Sequence, residues 1–217
     1  MNLRHSVNLR YADAAVLGES LVKTSVAETY ALDLEAVSSY IRTDLDQDVE
    51  EIQLLIQRAD EAVERRSSRA LLTSTYRSYF SFWPTLSTDT VSRVLELPRS
   101  PLVSVASVKY YDTDNVLQTI AASNYIVCTD TEPGLVFFVS DYDLPELFTR
   151  PDAIQVVFTS GYGTSPTSVP ASLRQAMLLL IRHENPSGDP NSRGNKLSDH
   201  DAAMNIIDSY KVGGWSV

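Results

Sequence analysis

Arg150-Pro151-Asp152-Ala153-Ile154-Gln155-Val156-Val157-Phe158-Thr159-Ser160-Gly161-Tyr162-Gly163, with Val169-Pro170-Ala171 just beyond, packs a strand, a glycine turn and a helix start into a short span. Ile154, Val156 and Phe158 alternate with Gln155, Val157 and Thr159, so the strand has one apolar and one more polar face and reads as half-buried. Proline fits the first turn of a helix, where its missing N–H costs nothing. Met177-Leu178-Leu179-Leu180-Ile181 is then apolar on nearly all sides, which predicts a helix central to a core or to a subunit contact.

Upstream of this junction the hydrophobic period changes twice. Asp33 is a good N-cap, and Leu34, Val37 and Ile41 follow it at helical spacing. After the break at Asp44-Leu45-Asp46-Gln47-Asp48, Val49, Ile52, Ile56, Ala59 and Val63 form one stripe, widened by Leu54 and Leu55. The spacing predicts a helix to about residue 70, roughly 35 Å long at about 1.5 Å per residue. Residues 73–82, 94–97, 103–111, 116–120, 125–128, 135–139 and 154–159 read as strands, rich in β-branched and aromatic side chains. Asp112-Thr113-Asp114-Asn115 and residues 129–134 are the turns of two hairpins. A last helix is expected over residues 199–210, after a polar loop at 185–197. Residues 1–31 show a weak helical pattern at Leu17 and Leu21 and read as an arm or a loosely attached helix.

Strands between helices argue for an α+β fold. A helical base of residues 32–72 and 168–211, holding the long amphipathic helix and the buried C-terminal helix, carries an inserted antiparallel β domain at 73–167. Residues 212–217 form a tail. Trp215 and Val217 follow two glycines there, and aromatic anchors on a flexible stem favour docking to a partner.

The chain is acidic, with a net charge of −10. Residues 33–70 hold 10 acids and 5 bases, and residues 71–167 again hold 10 and 5. Such a balance argues against tight binding to nucleic-acid phosphates, although an acidic wall lets DNA slide past. No apolar run approaches the roughly 18 residues of a membrane span, and the N-terminus lacks a signal-peptide core. A single cysteine, Cys128, suits a reducing cytoplasm and reads as a core residue. The expectation is a soluble protein made in the cytoplasm.

Catalytic and metal-binding patterns are missing from the sequence. His5, His183 and His200 have no second ligand at zinc spacing, and His183 reads as a helix C-terminal partner for carbonyls. Asp44, Asp46 and Asp48 alternate as in a calcium loop, but the glycine and the bidentate glutamate that such a loop needs are absent. Gly161-Tyr162-Gly163 lacks the lysine of a phosphate loop. No catalytic residue, metal site or cofactor is assigned.

Taken together, the segments resemble the head–tail connector (adaptor, or head-completion) proteins of tailed bacteriophages and gene transfer agents. Residues 32–72 resemble the family's short helix, acidic break and long helix ending near Arg69-Ala70-Leu71. Ser123-Asn124-Tyr125-Ile126-Val127 with Thr131-Glu132-Pro133-Gly134 resembles its central hairpin. Residues 150–163 resemble its last strand and Gly-Tyr-Gly turn. Val169-Pro170-Ala171-Ser172-Leu173-Arg174-Gln175-Ala176 resembles the start of its buried helix, and Ile206-Ile207-Asp208-Ser209-Tyr210-Lys211 its ending. The likeness is collinear over residues 32–211. The N-terminal arm is longer than the family's and the loop at 185–197 is polar, so neither region's role carries over.

The resemblance implies a non-enzymatic virion protein that forms a homo-oligomeric ring, commonly a dodecamer, beneath the portal protein. The ring extends the channel for double-stranded DNA and meets the stopper or tail protein. By the same resemblance Tyr210, Lys211, Trp215 and Val217 would dock on the portal. Glu50, Glu51, Glu61 and Glu64 of the long helix would face the channel. The alternatives are another phage neck or tail-completion component and, from a different class, a small hydrolase, which the lack of a nucleophile motif disfavours.

Overall fold

The computed structural model describes residues 21–25, 29–42, 45–83, 85–87, 90–91, 93–184 and 193–213, with backbone alone at 45–48, 85–87, 90–91 and 193–197. Two apolar cores organise the described chain, one helical and one between sheets. The fold is α+β.

The helical core is built first from α1 (Leu34–Ile41) and α2 (Leu45–Ser67). Asp33 caps α1 as expected, accepting the Glu35 and Ala36 N–H groups at 2.9 and 3.4 Å. On α2 four of the five predicted stripe residues face inward: Ile52, Ile56, Ala59 and Val63 are buried, whereas Val49, in the first turns of the helix, is exposed. Leu55 joins them, whereas Leu54 points outward at 54% exposure. The helix stops at Ser67, since Ser68 takes the left-handed conformation (φ 57°). α3 (Ala171–Glu184) buries Leu173, Ala176, Met177, Leu179, Leu180 and Ile181, and α4 (Arg193–Ser209) adds Ala203 and Ile207. Three ion pairs tie the helices: Arg58 to Glu184, Arg66 to Asp208, and Arg182 to Asp199.

The β unit consists of two antiparallel sheets packed face to face. The larger runs β1 (Leu21–Lys23), β2 (Ser74–Phe80), β10 (Ile154–Ser160), β6 (Leu102–Tyr111) and β7 (Leu117–Thr119), in that spatial order. The smaller runs β5 (Val94–Leu97), β9 (Gly134–Phe138) and β8 (Tyr125–Cys128). β3 (Thr85–Ser87) and β4 (Thr90–Val91) pair as a separate hairpin. Ile154, Val156 and Phe158 are fully buried and meet Leu95, Leu97, Val136 and Phe138 across the sandwich. The opposite face of β10 stays half-exposed, as the alternation predicts. Gly134 permits the close approach of the sheets, because a Cβ there would lie 2.4 Å from the Leu102 Cβ.

Four sequence expectations need correction. Leu21 lies in an edge strand and not in a helix, because the backbone of residues 21–23 pairs with β2; Leu17 lies outside the described residues. Ala31, assigned to the arm, is fully buried in the helical core. Part of the polar loop, residues 193–197, belongs to α4, whose contacts with α3 outweigh the helix-breaking composition. Cys128 is half-buried on the outward side of β8 and not in the core.

Candidate functional site

Four of the five segments that carry the family resemblance meet at one side chain, Arg69. Ser67 ends α2 with its Oγ donating to the Val63 carbonyl at 2.7 Å and accepting the Arg69 N–H at 3.3 Å. The chain then bridges to the strand side, with Ala70 N–H donating to the Ser100 carbonyl at 2.9 Å. This turn carries Arg69 inward, to 8% exposure.

Its guanidinium satisfies four of its five donors. Nε donates to the Tyr210 carbonyl (2.6 Å), at the end of α4. Nη1 donates to Glu132 Oε1 (2.6 Å) in the β8–β9 turn and to the Tyr162 hydroxyl (2.9 Å), while Nη2 donates to Glu132 Oε2. The fork-shaped contact to Glu132 is the bidentate geometry that suits arginine and not lysine. The rings of Tyr162 and Tyr210 lie 5.9 and 5.6 Å from the guanidinium carbon, within cation–π range. Burial opposes the charge on Arg69, and Glu132 and Tyr162 more than offset it. Burial pushes the Tyr162 hydroxyl up, so it stays protonated.

Both glycines of the Gly-Tyr-Gly turn are required for this placement. Gly161 (φ 140°) passes so close to the end of α2 that a Cβ would meet Thr73 N at 2.5 Å and the Leu72 carbonyl carbon at 2.6 Å. Gly163 (φ 151°) leaves no room against Ser168. Thr73 N–H donates to the Gly163 carbonyl at 2.8 Å, closing the turn onto the long helix's exit. The opening stretch of sequence is therefore a joint between β unit and helical base.

The same joint fixes where the C-terminal segment leaves. Lys211 N–H donates to the Asp208 carbonyl at 3.2 Å, and Val212 N–H to the Ser67 carbonyl at 3.0 Å. Of the four predicted docking residues, Tyr210 is half-buried and occupied by its own chain, and Lys211 is exposed beside it. Trp215 and Val217 lie outside the described residues.

Glu50, Glu51 and Glu61 are exposed on α2. That face also carries Leu54, Arg58 and Arg65, so it is mixed in sign. Glu64 departs from the expectation of an outward acid. Its Oε1 accepts the Leu71 N–H at 3.0 Å and its Oε2 pairs with Lys23 of β1 at 3.3 Å. Asp60, one turn earlier, has its carboxyl raised to about 7 by burial first and by Glu64 second.

Among the described residues no group of three metal-ligating side chains forms. The structure does bring His183 and His200 together across α3 and α4, with rings 5.1 Å apart, which their sequence separation conceals. The role of Arg69 is hidden for the same reason: its partners lie 63, 93 and 141 residues away. Asp60 had a readable signal. It follows Ile56 by four positions and so sits beside the apolar stripe, where a carboxylate is out of place.

No family model matches the sequence, and no curated protein matches it. Solved structures with similar folds include chains from gene transfer agent particles. A chain from the neck of an empty particle computed with C6 symmetry superposes with a TM-score of 0.66 at 19% identity, covering 90% of this chain and 96% of that one. A chain from the virion of a native particle gives 0.65 at 20% identity, with the same coverage. One from the neck of a native particle computed with C12 symmetry gives 0.61 at 19% identity, again covering 90% and 96%. Over 90% of its length, this chain has the fold found in the neck of those particles.

Proposed function

We propose that the protein is a head–tail connector of a tailed phage or a gene transfer agent. It is a structural virion component and not an enzyme. The observation that carries this reading is fold correspondence over 90% of the chain with neck components of gene transfer agent particles. The collinear order of the motifs meeting at Arg69 supports it independently.

In this reading copies of the chain, twelve in the commonest arrangement, assemble as a ring beneath the portal protein and join it to the stopper or tail. The chain is made in the host cytoplasm and ends in the virion neck. Avidity from repeated modest contacts would hold the ring in place. Lys211, Trp215 and Val217 supply the portal contact, and Tyr210 serves as the fixed base from which they extend. Glu50, Glu51 and Glu61 face the channel, where carboxylates repel passing double-stranded DNA; Glu64, held by Lys23 and the Leu71 N–H, is not among them.

Electron microscopy of the purified chain mixed with its cognate portal protein tests the proposal. The expected result is a ring seated on the portal with the exposed face of α2 toward the axis. Absence of any portal complex overturns the connector reading, and a ring with that face turned outward overturns the channel assignment alone.

A further inference from the structure

The β unit turns a different chemistry outward on each side. An antiparallel sheet with one face on a core normally has polar side chains on the other. The smaller sheet departs from this. Val136 and Phe138 point inward, so Leu135 and Phe137 point out, and the register sets Phe137 beside Ile126 and Leu135 beside Cys128. Ile126 is 56% exposed and Phe137 41%. Acids surround this apolar face. Glu96 of β5 lies on it, opposite Leu135. Asp130 stands in the β8–β9 turn at one end. Asp141 and Asp143 follow β9 at the other end, where the Val139 N–H bonds to the Asn124 carbonyl at 3.0 Å, beside the start of β8. Asp130, Asp141 and Asp143 are exposed and make no ion pair among the described residues. Arg93 stands on this side too, with its Nη1 spent on the Val139 and Tyr142 carbonyls at 2.9 and 2.7 Å.

The outward face of the larger sheet is the reverse. Val22, Arg77, Val157 and Ser107 form one row across it, and Tyr79, Gln155, Lys109 and Thr119 form the next. Neither row holds a carboxylate, although the chain carries a net charge of −10. Arg77 and Lys109 make no ion pair among the described residues, and Arg77 Nε is buried there without a hydrogen-bond partner. Acids lie past the strand ends. Asp112 accepts the Asp114 and Val116 N–H groups of its own turn, Asp114 is exposed in that turn, and Asp152 pairs with Arg150 at 2.6 Å.

We propose that these two faces are the halves of one contact between copies of this chain. The basic outer face of the larger sheet on one copy receives the apolar, acid-flanked outer face of the smaller sheet on the next. The proposal rests on the connector reading and deepens it, since it names the surfaces by which ring neighbours meet. The faces lie on opposite sides of a sandwich, so a copy that has received one neighbour still offers its other face. Head-to-tail contacts of this kind propagate, and they close into a ring when the rotation per copy divides a full turn. A two-fold contact of either face with itself sets like charge against like, which is unfavourable. Ile126 and Phe137 supply the centre shielded from water. Arg77 and Lys109 meet the acids of the neighbour and set the register. Neither α2 nor residues 210–217 take part, so ring closure and portal docking are separable.

Charge reversal tests this on the cognate portal protein, with closed rings counted by electron microscopy. One variant carries Arg77→Glu and Lys109→Glu, and a second carries Asp130→Lys, Asp141→Lys and Asp143→Lys. Each alone should lower the yield of closed rings by roughly tenfold or more, while single copies still bind the portal. Mixing the two variants, or combining all the substitutions in one chain, should restore the rings. Ile126→Lys, at an exposed position, should also prevent closure and serves where a charge-reversed chain does not fold. Wild-type ring yield from either reversed variant, or no restoration by the folded combined chain, overturns the proposal and leaves the connector reading standing. Loss of portal binding itself in a folded reversed variant assigns that face to the portal and overturns the proposal too. Absence of any portal complex with the wild-type chain overturns the connector reading instead.

Discussion

At Arg69 one cation is divided among a carboxylate, a carbonyl and a phenol, whereas beside Asp60 the nearby Lys23 is taken by Glu64. Both junctions join α2 to the β unit, and both are half-buried or deeper. The Arg69 junction satisfies four donors with partners from three distant segments. Beside Glu64, Asp60 keeps a buried oxygen without a partner among the described residues. Low dielectric amplifies each arrangement in its own direction, strengthening the complete network and penalising the incomplete one. A satisfied network fixes geometry, so the C-terminal segment leaves from a defined point beside Arg69.

Substitutions at the two junctions should therefore behave differently. The largest effect is expected from Gly161→Ala, because the added Cβ meets backbone atoms at 2.5 and 2.6 Å and the residue sits at φ 140°. A loss of about 4 kcal/mol in denaturant unfolding is expected, from strain that moves Tyr162 off Arg69. Arg69→Met should cost about 3 kcal/mol, since it orphans the Tyr162 hydroxyl and the Tyr210 carbonyl and removes the partner of Glu132. That loss should change little between pH 5 and 8. At Asp60 the pH dependence is the signature: wild-type stability should decline by on the order of 3 kcal/mol from pH 4 to 7, and Asp60→Asn should flatten the decline. Tyr162→Phe is the smallest change, about 1 kcal/mol, because the ring stays against Arg69 and only one hydrogen bond is lost.

Much of this architecture was legible from local pattern. The stripe from Ile52 to Val63, the Asp33 cap, the alternation of Ile154, Val156 and Phe158, and the hairpin at residues 112–115 all depend on neighbours within a few positions. The short pieces were not. Leu21–Lys23 forms a strand only because β2 offers an edge, and no three-residue stretch declares that by itself. Residues 193–197 are helical against their composition because α3 supplies the packing surface. The site divides in the same way. Exposed acids on α2 follow from helical spacing, while the inward turn of Glu64 depends on Lys23, which is 41 residues away. Arg69 was visible as part of a motif, yet its function as the common partner of Glu132, Tyr162 and Tyr210 exists only in three dimensions.

In the proposed connector role, the C-terminal segment meets the portal from its fixed point beside Arg69. Capture of the cognate portal protein by the full chain, in parallel with a chain ending at Gly213, measures this directly. That end point keeps the Val212 N–H bond to Ser67 and removes Trp215 and Val217. The full chain should retain the portal, and the shortened chain should lose it while unfolding at the same denaturant concentration. Equal capture by both chains, or none by the full chain, would contradict the account.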